Sequence, residues 1–137
     1  MQAYYSVAIV TLVAGFLCFA MSMGVGRAHS KTGILAPTMT GDPYLECCIR
    51  AHANTLEWMP IFLPAMWLYA VYLSPTWAAV LGSVWVLGRI LYYLGYAAAP
   101  EKRFAGFLIQ SLATFALLLG ALGRLVYLAT ALIERAP

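Results

Sequence analysis

Arg50-Ala51-His52-Ala53-Asn54-Thr55-Leu56-Glu57 places ionisable side chains inside a segment that is otherwise apolar from Tyr44 to Leu73. Glu46, Arg50, Asn54 and Glu57 follow one another at steps of four, four and three, which puts all four on one face of a helix. Charge at membrane depth costs about 2.5 to 3.5 kcal/mol per residue on insertion scales, so such groups face a bundle interior or a water-filled cavity and pair with something. The stripe therefore reads as a functional site. The structural alternative is an Arg50–Glu57 pair that only ties helices together.

The surrounding composition makes the segment a membrane helix. Of 137 residues, 64% are hydrophobic and 9% charged, with a mean hydropathy of +0.83, where a soluble domain has about a quarter of its residues charged. At about 20 residues per crossing, the length suits one all-α domain of four transmembrane helices, with spans at about 3–25, 44–73, 77–96 and 104–132. A bundle this small has little interior, so intramembrane charges are better shielded in an oligomer. The net charge of +3 is spread over scattered basic residues with no basic run, which excludes a nucleic-acid partner. Cys18, Cys47 and Cys48 form neither a disulfide framework nor a metal-binding spacing. Cys47, one turn before Arg50, is a small packing residue or a somewhat acidified thiol.

Outward from the stripe, Met1 to Val25 lacks the positive flank of a cleaved signal peptide and reads as a retained first span. Gly15, Ala20, Ser22, Gly24 and Gly26 allow close helix approach. Arg27 to Pro43, rich in polar residues, glycine and proline, predicts a loop of about 15 residues, longer than most helix connections. Asp42 is placed to cap the second helix with Pro43 at its first position. Pro60 and Pro64 each remove a backbone donor within that helix, and Ser74-Pro75 predicts a tight turn into an antiparallel third helix.

The third span holds a second buried charge, Arg89, with Tyr92, Tyr93 and Tyr96 at offsets of three, four and seven. Tyr93 also suits an aromatic belt at the membrane surface. A connection at 97–102 leads to Arg103, which opens the last helix, and Gln110, Ser111 and Thr114 in it predict interhelical hydrogen bonds. The first and third connections carry Arg27, Lys31, Lys102 and Arg103, and the second carries no Lys or Arg. By the positive-inside rule, loops 27–43 and 97–102 face the cytoplasm and both termini lie opposite. Arg50, Glu57, Arg89, Tyr92, Tyr96 and Arg103 then share one half of the membrane, joined by Arg27 or Lys31 if either folds over them.

Such a set suits an anionic ligand bearing carboxylates and one ammonium group, with arginines taking the carboxylates in bidentate fashion and Glu57 the cation. A small zwitterionic peptide fits. No His/Cys/Asp cluster for a metal, glycine-rich phosphate loop or serine–histidine pair is present in the sequence. His52 points to a different face from Arg50, suited to packing or a subunit contact, with general base as the alternative.

Arg50, Asn54 and Glu57, followed by Pro60 and an apolar run with Trp67, resemble the signature of the MAPEG family, the membrane-associated proteins in eicosanoid and glutathione metabolism. Arg89, Tyr92, Gly95, Tyr96 and Arg103 match that family's second block at the same spacing. The resemblance implies a homotrimer with glutathione, the co-substrate, bent in a groove between subunits. By position, Arg50, His52, Asn54, Glu57, Arg89, Tyr92 and Tyr96 would hold glutathione, His52 standing where several relatives carry a glutamine from the adjacent subunit. Arg103 matches the arginine that stabilises the thiolate, and glutathione itself is the nucleophile.

Trp58 replaces a tyrosine of the leukotriene-forming branch, and the paired arginines late in that branch's first span have no counterpart around His29 and Ser30. Arg50, Glu57 and Arg103 separate the chain from the non-conjugating, lipid-binding branch. The resemblance thus implies a microsomal-type glutathione transferase that conjugates lipophilic electrophiles arriving through membrane lipid, with glutathione-dependent peroxidase activity on lipid hydroperoxides as an accompanying reaction. A non-catalytic lipid-binding or scaffold protein of the same fold is the alternative from another class. A small transporter using Glu57 and Arg89 is a third, without the repeat halves many transporters show.

Overall fold

The computed structural model describes residues 2–134. They form four long helices, α1 (Tyr5–Thr32), α2 (Pro43–Tyr72), α3 (Pro75–Ala98) and α4 (Phe104–Ile133), with 3-10 turns at Gln2–Tyr4 and Pro100–Arg103. By length and composition α1, α3 and the stretch from Pro100 to Ile133 suffice to cross a membrane. α2 has the length, and its amino-terminal half carries the charged stripe. Large apolar side chains such as Phe16, Phe19, Leu87, Phe115 and Leu122 point outward. In water this surface would be unstable. In an integral membrane protein it meets lipid or other protein.

Local signals fix the helix ends. The Asp42 carboxylate accepts from the N–H groups of Tyr44 (2.9 Å) and Leu45 (3.1 Å), with Pro43 just inside. Glu46 folds back to accept from the Gly41 N–H at 3.0 Å, so this member of the stripe serves the helix start. Ser74 caps α3 ahead of Pro75, making the tight turn expected there. α2 continues unbroken through Pro60 and Pro64.

The first connection is shorter than the loop expected at 27–43. α1 runs on to Thr32 and stops at Gly33, whose φ of 72° is left-handed and whose N–H bonds to the His29 carbonyl at 3.0 Å. Arg27, His29, Ser30 and Lys31 are polar without breaking a helix; only glycine closes it cheaply. The connection expected at 97–102 is likewise reduced to the extended residue Ala99 and the 3-10 turn that follows.

The main core lies where all four helices meet, with the Phe62 and Trp85 rings stacked at a centroid distance of 3.9 Å among Val7, Val10, Ala65, Met66 and Leu117. Trp67 Nε1 donates to Thr11 Oγ1 at 3.1 Å, joining α2 to α1. A smaller core of Ala28, Leu45 and Cys48 closes the other end. α3 and α4 meet through glycine. A methyl group on Gly106 would strike the Tyr92 backbone, and one on Gly88 would come within 2.8 Å of the Gln110 nitrogen. The bonds expected of Gln110, Ser111 and Thr114 run within α4 instead of between helices. Thr114 Oγ1 donates to the Gln110 carbonyl, and Gln110 Nε2 to Ser111 Oγ, because each finds a partner within one turn. Arg124 Nε donates at 3.2 Å to the Tyr72 carbonyl at the carboxyl end of α2, which explains a cation in an apolar helix.

Candidate functional site

At the end of the bundle where α2 starts, α3 ends and α4 starts, a cleft of about 660 Å³ opens between the three helices. That is within the range of about 300 to 1,000 Å³ that small-molecule sites occupy. Arg50 and Asn54 line it from α2, Tyr92 and Tyr96 from α3, and Arg103, Phe104 and Phe107 from the start of α4, with Pro100 and Glu101 at its rim.

Each element places its residues by helical spacing. Arg50 and Asn54 lie one turn apart, as do Tyr92 and Tyr96, whose rings meet edge to face at 5.6 Å. Arg103 is brought to the cleft because Gly95 lets the backbone at Lys102 pack directly on α3, where a methyl group would lie within 2.5 Å of the Lys102 carbonyl oxygen. The Arg103 guanidinium rests 4.7 Å from the Tyr96 ring centre, a cation–π contact that holds the charge at the cleft wall while leaving it open to solvent.

A polar chain runs from the core to this cleft. Arg89 Nη1 donates to Asn54 Oδ1 at 3.0 Å, Asn54 Nδ2 donates to Glu57 Oε2 at 3.1 Å, and Arg50 Nη1 donates to Glu57 Oε1 at 3.4 Å. The Arg50–Glu57 pair is well exposed, at 61% and 54%, and as an isolated surface pair would contribute little stability. It leaves both groups free to exchange partners with a ligand. Arg89 differs: it is fully buried, with its guanidinium carbon 4.9 Å from the Tyr92 ring centre and 5.5 Å from those of Trp58 and Trp85. Trp85 Nε1, Arg89 Nε and Nη2 and Gln110 Oε1 are buried without a hydrogen-bond partner among the described residues.

Of the residues singled out in the sequence, Arg50, Asn54, Tyr92, Tyr96 and Arg103 thus share one cleft, with Glu57 one hydrogen bond away. Arg89 stands behind the wall. His52 lies apart, its Nε2 3.9 Å from Cys18 Sγ, on the face of α2 turned to α1. Arg27 and Lys31 do not fold over the cleft of their own chain. They line a separate groove on α1 with Ser22 and Gly26, and Lys31 Nζ sits 4.7 Å from the Tyr44 ring centre. Phe107 also lines the cleft; it follows Arg103 by one helical turn, but in an apolar helix nothing in its residue type marks it. Its ring meets Trp58 edge to face at 5.9 Å and lies 6.3 Å from Tyr92, forming the apolar floor. Trp58 thus presents an indole face that covers Arg89.

The model of the MAPEG family matches residues 7–123. The chain is 47% identical over 115 residues to an uncharacterized protein of Synechocystis sp., covering 84% of each. It is 41% identical over 104 residues to microsomal glutathione S-transferase 2 of Homo sapiens, covering 74% of this chain and 70% of that protein. Leukotriene C4 synthase of Cavia porcellus is 35% identical over 121 residues, with 88% and 81% covered.

Proposed function

The chain belongs to the MAPEG family, and from that premise we propose that it is a membrane glutathione transferase, joining the thiolate of glutathione to lipophilic electrophiles drawn from the bilayer. The observation that carries the reading is the gathering of Arg50, Tyr92, Tyr96 and Arg103 around one open cleft from three helices. Relatives named as a glutathione transferase and as a leukotriene C4 synthase support it.

The chemistry follows from the donor set. Glutathione carries two carboxylates, one ammonium group and one thiol. Arg50 offers a guanidinium fork for a carboxylate, and Glu57 has acceptor capacity left for the ammonium group beside its bonds to Arg50 and Asn54. The hydroxyls of Tyr92 and Tyr96 add donors at the α3 wall. A free thiol titrates near about 8.5 and is only a few per cent thiolate at neutral pH. Arg103, exposed at the cleft and steadied on Tyr96, supplies the cation that favours the thiolate. The sulfur then attacks the electrophilic carbon, the new C–S bond forms, and the leaving group or opened ring takes up the electron pair. Phe104 and Phe107 give the apolar side against which such a substrate lies.

The same reading includes a homotrimer, in which His52 and the Arg27–Lys31 groove reach the cleft of a neighbouring subunit, with the cleft on the cytoplasmic side. Peroxidase activity on lipid hydroperoxides would use the same thiolate. The test is the ultraviolet absorption band of a bound thiolate, recorded on detergent-purified protein with and without glutathione. A band that appears with glutathione and is lost in Arg103→Ala is the expected result. No band together with no glutathione binding would favour the lipid-binding or scaffold alternative.

A further inference from the structure

We propose that Arg89 is a positioning residue for the cleft, acting through Asn54 and never touching the ligand itself. The inference rests on the reading of the cleft as a glutathione site for its affinity readout, and on the fold alone for its stability readout.

Three observations carry it. Arg89 is completely buried and absent from the cleft lining, enclosed by the rings of Trp58, Trp85 and Tyr92. Its side chain makes one hydrogen bond among the described residues, to Asn54 Oδ1 at 3.0 Å. Asn54 in turn donates to the Glu57 carboxylate. A buried guanidinium is costly unless something compensates its charge, and the polar group that meets it is the neutral amide. An amide is two-ended: its oxygen carries partial negative charge and its NH2 group partial positive. Set between a cation and a carboxylate, it lowers the energy of both in one orientation only. Flipped, it would turn its NH2 group on Arg89 and its oxygen on Glu57, and both contacts would repel. Arg89 therefore fixes the Asn54 amide, and the amide fixes the rotamer of Glu57, which then receives Arg50. The buried charge of α3 is expressed at the cleft as a carboxylate held in one orientation.

This separates Arg89 from a ligand contact by its coupling. Arg89→Met, Asn54→Ala and the double variant are compared for glutathione affinity by calorimetry, for turnover at saturating glutathione, and for thermal stability in detergent. Losing a charge-assisted hydrogen bond corresponds to about a 10- to 100-fold weaker affinity. Under the proposal each single variant loses that much, turnover stays within about threefold, and the double variant is no weaker than the worse single one. Losses that multiply in the double variant would overturn it, because Arg89 would then hold the ligand independently. Glutathione monoethyl ester gives a second arm. The Arg89→Met penalty is the same for glutathione and for the ester under the proposal, and a penalty that vanishes with the masked carboxylate overturns it.

Should Arg89→Met fail to fold, the native protein still decides. In arginine side-chain ¹⁵N spectra, an exchange-protected Arg89 signal moves less on adding glutathione than those of Arg50 and Arg103; the largest shift at Arg89 would refute the assignment. Absence of glutathione binding to the native protein would sink the transferase reading alone. Non-additive melting temperatures for the Arg89 and Asn54 variants would then still support the strut, and additive ones would remove it.

Discussion

Replacing Arg103 by alanine should leave an enzyme whose defect depends on pH in a calculable way. Two unit charges about 4 Å apart interact by about 4 kcal/mol at an effective dielectric constant of about 20. The Arg103 side chain is exposed at an open cleft, so screening by solvent reduces this to about 1.5 to 2 kcal/mol. At 1.36 kcal/mol per unit, the bound thiol moves from about 8.5 to roughly 7 to 7.5. At neutral pH the thiolate fraction then rises about tenfold, from a few per cent to a quarter or a half. The variant's thiolate is more basic and so about threefold more nucleophilic, which offsets part of the loss. Turnover at saturating glutathione should therefore fall by about three- to fivefold at pH 7.

The sign follows from which form is favoured. The cation stabilises the deprotonated thiol, so its benefit is largest below the thiol's free value and disappears above it. Initial rates against a lipophilic aryl halide, measured from about pH 6 to about pH 9, should show the deficit closing as pH rises and reversing to about a twofold advantage for the variant at the alkaline end, with the KM for glutathione changed by less than about threefold. A deficit constant across that range would refute thiolate stabilisation by Arg103. So would a loss found wholly in KM.

Glu57→Gln should weaken glutathione binding about tenfold while leaving turnover near the native value, since it removes the carboxylate that answers Arg50 and the ligand ammonium; calorimetry beside steady-state rates checks this. Gly106→Ala should destabilise the protein by about 1 to 3 kcal/mol, because its methyl group meets the Tyr92 backbone, whereas Gly123→Ala, with open space around it, should be neutral or slightly stabilising. Equal melting temperatures for those two variants would contradict the close α3–α4 packing. Asp42→Ala should cost about 1 kcal/mol by freeing the Tyr44 and Leu45 N–H groups, measured as a lower melting temperature in detergent with glutathione affinity retained.

Much of the fold was legible because membrane helices announce themselves in one dimension. Asp42-Pro43 and Ser74-Pro75 are complete start signals, and the structure begins α2 and α3 there. Polarity alone does not mark the end of α1, which runs through Arg27 to Lys31 as far as Thr32. A helix can leave the apolar layer and continue, and the stop came from the left-handed glycine at Gly33. The partners of Gln110 and Thr114 lie within α4 for a related reason: residue type shows that a partner is needed, not which one is nearer.

The sequence by itself determined that this chain is an all-helical membrane protein, and that Arg50, Asn54, Tyr92, Tyr96 and Arg103 belong to regularly spaced faces, because composition and helical period are properties of a line. Tertiary structure alone decided which of those charges meet the cleft and which support it from behind. Arg89 and Arg103 look alike as arginines flanking a tyrosine pair. One is enclosed by Trp58, Trp85 and Tyr92, and the other stands open on Tyr96. That difference arises because α2 packs over Arg89 through Trp58 and Asn54, whereas the 3-10 turn that carries Arg103 is set against α3 at Gly95, at the rim of the cleft. Contact between helices depends on three-dimensional distance, which spacing along one helix does not contain.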